Sequence, residues 1–93
     1  MDRDEAQKLL ALQMEEFKKK SYTELVNLLG DVWAEQVKGP SSNSYTIEIE
    51  VFWDYKPDGD VRVLGSIDDG GLRSAFRPLC SDYLVTPAGK TVD

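Results

Sequence analysis

A chain of 93 residues has room for one hydrophobic core, which excludes a two-domain reading. With 41% hydrophobic and 30% charged residues, the composition is that of a globular domain and not of a disordered segment. A net charge of −6 disfavours attachment to nucleic acid or anionic lipid, which draw on clustered Lys and Arg, and the absence of histidine removes the commonest general base.

From residue 2 to about residue 20, Ala6, Leu9, Leu10, Met14 and Phe17 recur at helical spacing, which predicts an amphipathic helix with an acidic start and a basic end. Lys18, Lys19 and Lys20 are then the solvated terminus of that helix. Ser21-Tyr22-Thr23-Glu24 fits a capping box and opens a second helix, whose Leu25, Leu28 and Leu29 face the core and which Gly30 ends. Residues 32–38 alternate imperfectly and read as a first strand, with continued helix as the alternative. Gly39-Pro40-Ser41-Ser42-Asn43 is a loop.

Tyr45, Ile47, Ile49, Val51, Trp53 and Tyr55 alternate with polar residues and Phe52, the period of a strand with one buried face. The turn Lys56-Pro57-Asp58-Gly59-Asp60 predicts a type I turn followed by a left-handed glycine. That geometry pairs Tyr55 with Val61, Asp54 with Arg62, Trp53 with Val63, Phe52 with Leu64 and Ile49 with Ile67. Asp68-Asp69-Gly70-Gly71 marks a second turn into a strand over 72–77, and Pro78 a bend. Thr86-Pro87-Ala88-Gly89-Lys90 repeats the first turn, placing Val85 opposite Thr91 and Leu84 opposite Val92.

The whole chain, 1–93, therefore reads as a single α+β domain, helical over 2–29 and a β-hairpin meander over 32–93. The helices pack on one face of an antiparallel meander of about four to five strands. This arrangement resembles the helix-on-sheet architecture of the cystatin-like folds, by layer order alone and without a shared motif.

Few residues suggest chemistry. Cys80 has no histidine to activate it and reads as a buried structural cysteine, since a reactive thiol would need a cation such as Arg77 beside it. One Cys and no His leave no zinc set. Asp54, Asp58, Gly59 and Asp60 fall in calcium-loop register, but Lys56 and Gly65 occupy positions that demand oxygen ligands, so the segment is a hairpin turn. Asp68 and Asp69 likewise read as turn residues, and Glu48 and Glu50 as solvated charges of the outer sheet face. No carboxylate interrupts the inward set of the central strand, no phosphate-binding glycine motif is present, and no cofactor or metal is expected.

The outer sheet face is the candidate site. The expected register sets Phe52, Leu64 and Ala75 side by side, rimmed by Glu50, Asp54, Arg62, Arg73 and Arg77, the anatomy of a contact surface. The expected function is a small non-catalytic module that binds another protein or a second copy of itself. A ligand-binding or enzymatic pocket between helix and sheet, lined by Phe17, Trp33 and Trp53, is the second reading, and an acidic inhibitor of a basic partner the third. An acidic opening without a signal sequence, no apolar run near the roughly 20 residues that span a bilayer, and one unpaired cysteine make the cytoplasm the expected compartment.

Overall fold

The computed structural model describes residues 2–70 and 78–93. The expected strand over 72–77, with Arg73, Ala75 and Arg77, lies outside the described residues. The first helix, α1, runs over Arg3–Phe17. Asp2 caps it by accepting from the Glu5 N–H at 3.1 Å, and Ala6, Leu10, Met14 and Phe17 form its buried stripe. The expected capping box opens α2 (Tyr22–Val26): Ser21 Oγ accepts from the Glu24 N–H at 3.1 Å, and the Glu24 carboxylate accepts from the Ser21 N–H at 3.0 Å. The chain continues in turns to Gly30, whose φ of +84° suits a residue without Cβ.

Five strands follow, β1 (Val32–Lys38), β2 (Ser44–Trp53), β3 (Val61–Asp68), β4 (Leu79–Val85) and β5 (Thr91–Val92). Each pairs antiparallel with the next, giving one sheet in chain order. Residues 32–38 are strand, which settles the helix alternative. The inner face carries Tyr45, Ile47, Ile49 and Val51 from β2, Val61, Val63 and Ile67 from β3, and Tyr83 and Val85 from β4, all buried under the two helices. The opposite face has no helix over it among the described residues. The fold is thus α+β, helices on one face of an open antiparallel sheet.

The last hairpin follows the expected geometry. Thr86 N–H donates to Lys90 C=O and Gly89 N–H to Thr86 C=O, both at 2.8 Å, Gly89 has φ +86°, and Val85 faces Thr91. The Lys56 turn does not follow it. Here Asp58 is the left-handed residue, at φ +65°, and the hairpin closes farther out through Asp54 N–H to Asp60 C=O at 2.9 Å. The ladder therefore sits two residues from the expected one, pairing Trp53 with Val61, Phe52 with Arg62, Glu50 with Leu64 and Ile49 with Gly65. Tyr55, expected to pair with Val61, is 92% exposed in the loop. Alanine strongly resists a positive φ, so Ala88 leaves that conformation to Gly89, whereas Asp58 can adopt it and admits a second turn geometry. The helices pack closely on the sheet in this register. With Gly65 opposite Ile49, α1 approaches so closely that a Cβ at 65 would stand 2.6 Å from Met14 Sδ and 3.2 Å from Leu10 Cδ1. Tyr22 OH also donates to Gly59 C=O at 2.8 Å, tying α2 to the turn.

Candidate functional site

Alternation along each strand fixes what the open face presents. Reading across the ladder, one row is Phe52, Arg62, Leu84 and Val92, and the next is Val32, Glu50, Leu64 and Asp82. A third row holds Ala34, Glu48, Ser66 and Cys80. Phe52 is 37% exposed and Val92 41%, while Leu64 and Leu84 are half-buried.

The structure keeps Phe52 and Leu64 on this face but makes them diagonal neighbours. Phe52 stands directly opposite Arg62, and Leu64 stands between Glu50 and Asp82, where Ala75 was expected. The cause is twofold: the β2–β3 hairpin is shifted by two residues, and the strand beside β3 is residues 79–85. The apolar group on this face is therefore Phe52, Leu64, Leu84 and Val92, set around Arg62. Leu84 and Val92 were readable from the third hairpin, since Leu84 lies between inward Tyr83 and Val85; what hid them was the assignment of 72–77 as the neighbour of β3.

Arg62 sits at the centre as a neutralised charge. Its Nε donates to Asp54 Oδ1 at 2.7 Å and its Nη1 bonds Asp82 Oδ2. The Asp54 hydrogen bond is the main reason its pKa rises above the ordinary guanidinium value. Glu48 and Glu50 remain exposed beside the apolar group. Cys80 is exposed on this same face, its Sγ 3.8 Å from Pro78 C=O, which corrects the expectation of a buried thiol. Because β4 begins at Leu79, its even-numbered residues face outward, and Cys80 pairs with Ser66.

A second concavity lies between the helices and the sheet. Its volume is about 270 Å³, its walls are Phe17, Leu28, Trp33, Ile49 and Val51, and Gln13, Glu16, Lys20 and Asp31 line it as well. Phe17 and Trp33 meet edge to face, ring centroids 5.6 Å apart, and Lys20 Nζ stands 5.5 Å from the Phe17 centroid. Trp53, expected as a third wall, instead lines a neighbouring groove with Val32 and Phe52, because β2 runs past the start of β1 at that end. Among the described residues no group of three or more Asp, Glu, Cys or His comes together as a metal set.

At the far end of the sheet Glu5 joins α1 to the loop between β1 and β2. Its carboxylate accepts from Ser41 Oγ at 2.7 Å, Tyr45 OH at 2.8 Å and Ser41 N–H at 3.1 Å. The Ser41 hydroxyl, then Tyr45, hold its pKa below the ordinary carboxylate value. This is a structural clasp away from both concavities. No described helix is long and apolar enough to cross a membrane. No protein-family model, curated protein or solved structure matches this chain, so the likeness to cystatin-like folds remains one of layer order.

Proposed function

We propose that this chain is a small non-catalytic protein-binding module that uses the outer sheet face, and that its partner offers basic side chains around an apolar contact. One observation carries the reading: Phe52, Leu64, Leu84 and Val92 surround an Arg62 whose charge Asp54 and Asp82 already balance. Among the described residues the acids left over, Glu48 and Glu50, give the rim its sign. An apolar centre inside a charged rim is the anatomy of a contact surface, and an acidic rim steers basic partners toward it. The expectations of a protein contact and of an acidic inhibitor thus converge on one surface.

The test is site-specific photo-crosslinking in cells, with p-benzoylphenylalanine at position 52 and, as control, at Leu12, which is 68% exposed on the helix layer. The expected result is an adduct from position 52 alone, to a basic protein, lost when Leu84→Asp is added. Equal adducts from both positions, or an adduct indifferent to Leu84→Asp in a folded variant, would overturn the reading.

The cavity beside Phe17 and Trp33 favours a second reading, a small apolar ligand held between helix and sheet, since binding pockets are typically apolar with a few polar groups at the mouth. Indole at millimolar concentration should then shift the Trp33 ring signals in NMR spectra; unchanged spectra would remove this reading.

A further inference from the structure

Antiparallel strands alternate between residue pairs that exchange two hydrogen bonds and pairs that exchange none. The loop after β1 fixes that phase. Gly39 N–H donates to Asn43 C=O at 2.9 Å, in step with the ladder that pairs Lys38 with Ser44 and Val37 with Tyr45. Trp33, Glu35 and Val37 therefore direct their backbone groups toward β2, and Val32, Ala34, Gln36 and Lys38 direct theirs away from it. On that side β1 is the edge of the sheet among the described residues, and all four residues are exposed. The strand holds no proline and no residue of positive φ, so its backbone can pair; the charges of Glu35 and Lys38 are what oppose pairing at this edge. At the other side of the sheet β5 is two residues long and covers only Leu84 and Val85 of β4.

We infer that two copies of this chain pair β1 to β1, antiparallel, about a two-fold axis at Glu35, making one continuous sheet of both. The outward residues are symmetric about Glu35. Val32 of one copy meets Lys38 of the other and Ala34 meets Gln36, so every outward N–H and C=O finds a partner, about eight hydrogen bonds in all. On the helix-side face Trp33 of one copy lies beside Val37 of the other, an apolar cross-strand pair. Because β1 meets the same strand of the other copy, the contact is isologous and closes on itself at two copies. Glu35 faces its own copy at the axis, a like-charge pair that weakens the contact. A single strand pairing buries little area, which makes this a reversible dimer with a dissociation constant on the order of 10 to 1,000 µM. The contact does not depend on the outer face.

The experiment is sedimentation equilibrium of the full chain from about 0.02 to 1 mM, with amide exchange followed by NMR across the same range. The expected result is a monomer–dimer equilibrium in which the amides of Val32, Ala34, Gln36 and Lys38 gain protection with concentration, while those of Trp33, Glu35 and Val37 are protected throughout. Ala34→Pro removes one outward N–H without touching the β2 ladder and should weaken the dimer by about tenfold or more at an unchanged thermal midpoint. Gln36→Pro serves the same purpose should Ala34→Pro unfold the chain. Glu35→Gln should tighten the dimer by about two- to fivefold. A monomer at every concentration, with the outward amides exchanging rapidly, overturns the inference. So does a dimer that survives a folded proline variant or dissociates on Phe52→Asp instead.

Discussion

Gly65 marks the point where β3 gives up a side chain so that α1 can settle on the sheet. A methyl group there would fall 2.6 Å from Met14 Sδ, and Met14 is itself buried at 3% exposure, with little freedom to move aside. Gly65→Ala is expected to cost about 1 to 3 kcal/mol by overpacking, read as a lower denaturation midpoint at unchanged slope. Met14→Ala in the same chain should recover part of that loss, since it vacates the space the new methyl needs. Tyr83 poses the opposite problem. Its ring is buried with Lys18 Nζ 5.5 Å from the centroid, yet its hydroxyl has no hydrogen-bond partner among the described residues. Desolvation, with a smaller contribution from Glu15, pushes its pKa up from 10.0 to about 12. Because burial penalises only its ionised form, Tyr83 leaves stability unaffected by pH below 10.0 and costs stability as the pH climbs toward about 12, while its unpaired hydroxyl is a cost at every pH. Tyr83→Phe should therefore raise stability at neutral pH by about 1 kcal/mol and flatten the alkaline limb of the unfolding profile. A variant less stable than the parent at pH 7 would mean that the hydroxyl is satisfied after all.

Among the elements, α1 is held at its two ends by different chemistry. Near its start, Glu5 accepts hydrogen bonds from Ser41 and Tyr45; just past its end, Lys18 pairs with Glu15 and Asp93, the latter at 2.7 Å. Glu5 titrates below its ordinary value of 4.5, chiefly through the Ser41 hydroxyl. A carboxyl depressed in the folded state contributes stability that is present above its unfolded pKa and disappears as the pH falls through the folded one. Glu5→Gln should thus destabilise the chain at neutral pH and lose less stability than the parent as the pH drops below 4.5; parallel acid limbs for the two proteins would refute the clasp. Both helix starts, the capping box, the strand at residues 32–38 and the whole β4–β5 hairpin were legible from the sequence because each rests on local chemistry, such as Ser21 with Glu24 and Ala88 excluding all but Gly89 from the left-handed position. The helix ends were not, since α1 stops at Phe17 before the lysines and α2 at Val26 in place of running to Gly30. Nor was the β2–β3 hairpin. A slip of two residues preserves which side chains face inward, so alternation cannot reject it, and Asp58 permits either turn. The contact of Gly65 with Met14, between residues 51 positions apart, is likewise encoded in no local pattern. The outer face inherited the error: Phe52 and Leu64 were placed on the correct side, while their partners were not, and Arg62 changed from a rim charge to a neutralised centre.

At the scale of the whole molecule, the net charge of −6 sets opposite signs for the two interactions proposed. Two copies meeting through β1 carry the same charge, and the edge itself adds no compensating attraction, because Glu35 meets Glu35 at the axis and Lys38 lies opposite Val32. Their long-range repulsion opposes dimerisation and is screened by salt, with a Debye length of about 10 Å at 0.1 M. Raising the salt from about 20 to 300 mM should therefore strengthen self-association by several-fold, because backbone hydrogen bonds and the Trp33–Val37 contact are left nearly unchanged. The outer face behaves the other way. Glu48 and Glu50 attract a basic partner, and screening weakens that attraction while leaving the contact of Phe52, Leu64 and Leu84 in place, so the same change in salt should lower the association rate with little effect on dissociation. Sedimentation equilibrium of the chain alone and association kinetics with the partner captured at position 52 read the two effects separately. A dimer that weakens with salt would place the self-contact on opposite charges, which β1 does not supply, and would shift it to the outer face; a partner whose association ignores salt would remove Glu48 and Glu50 from the recognition surface and leave the apolar group to act alone.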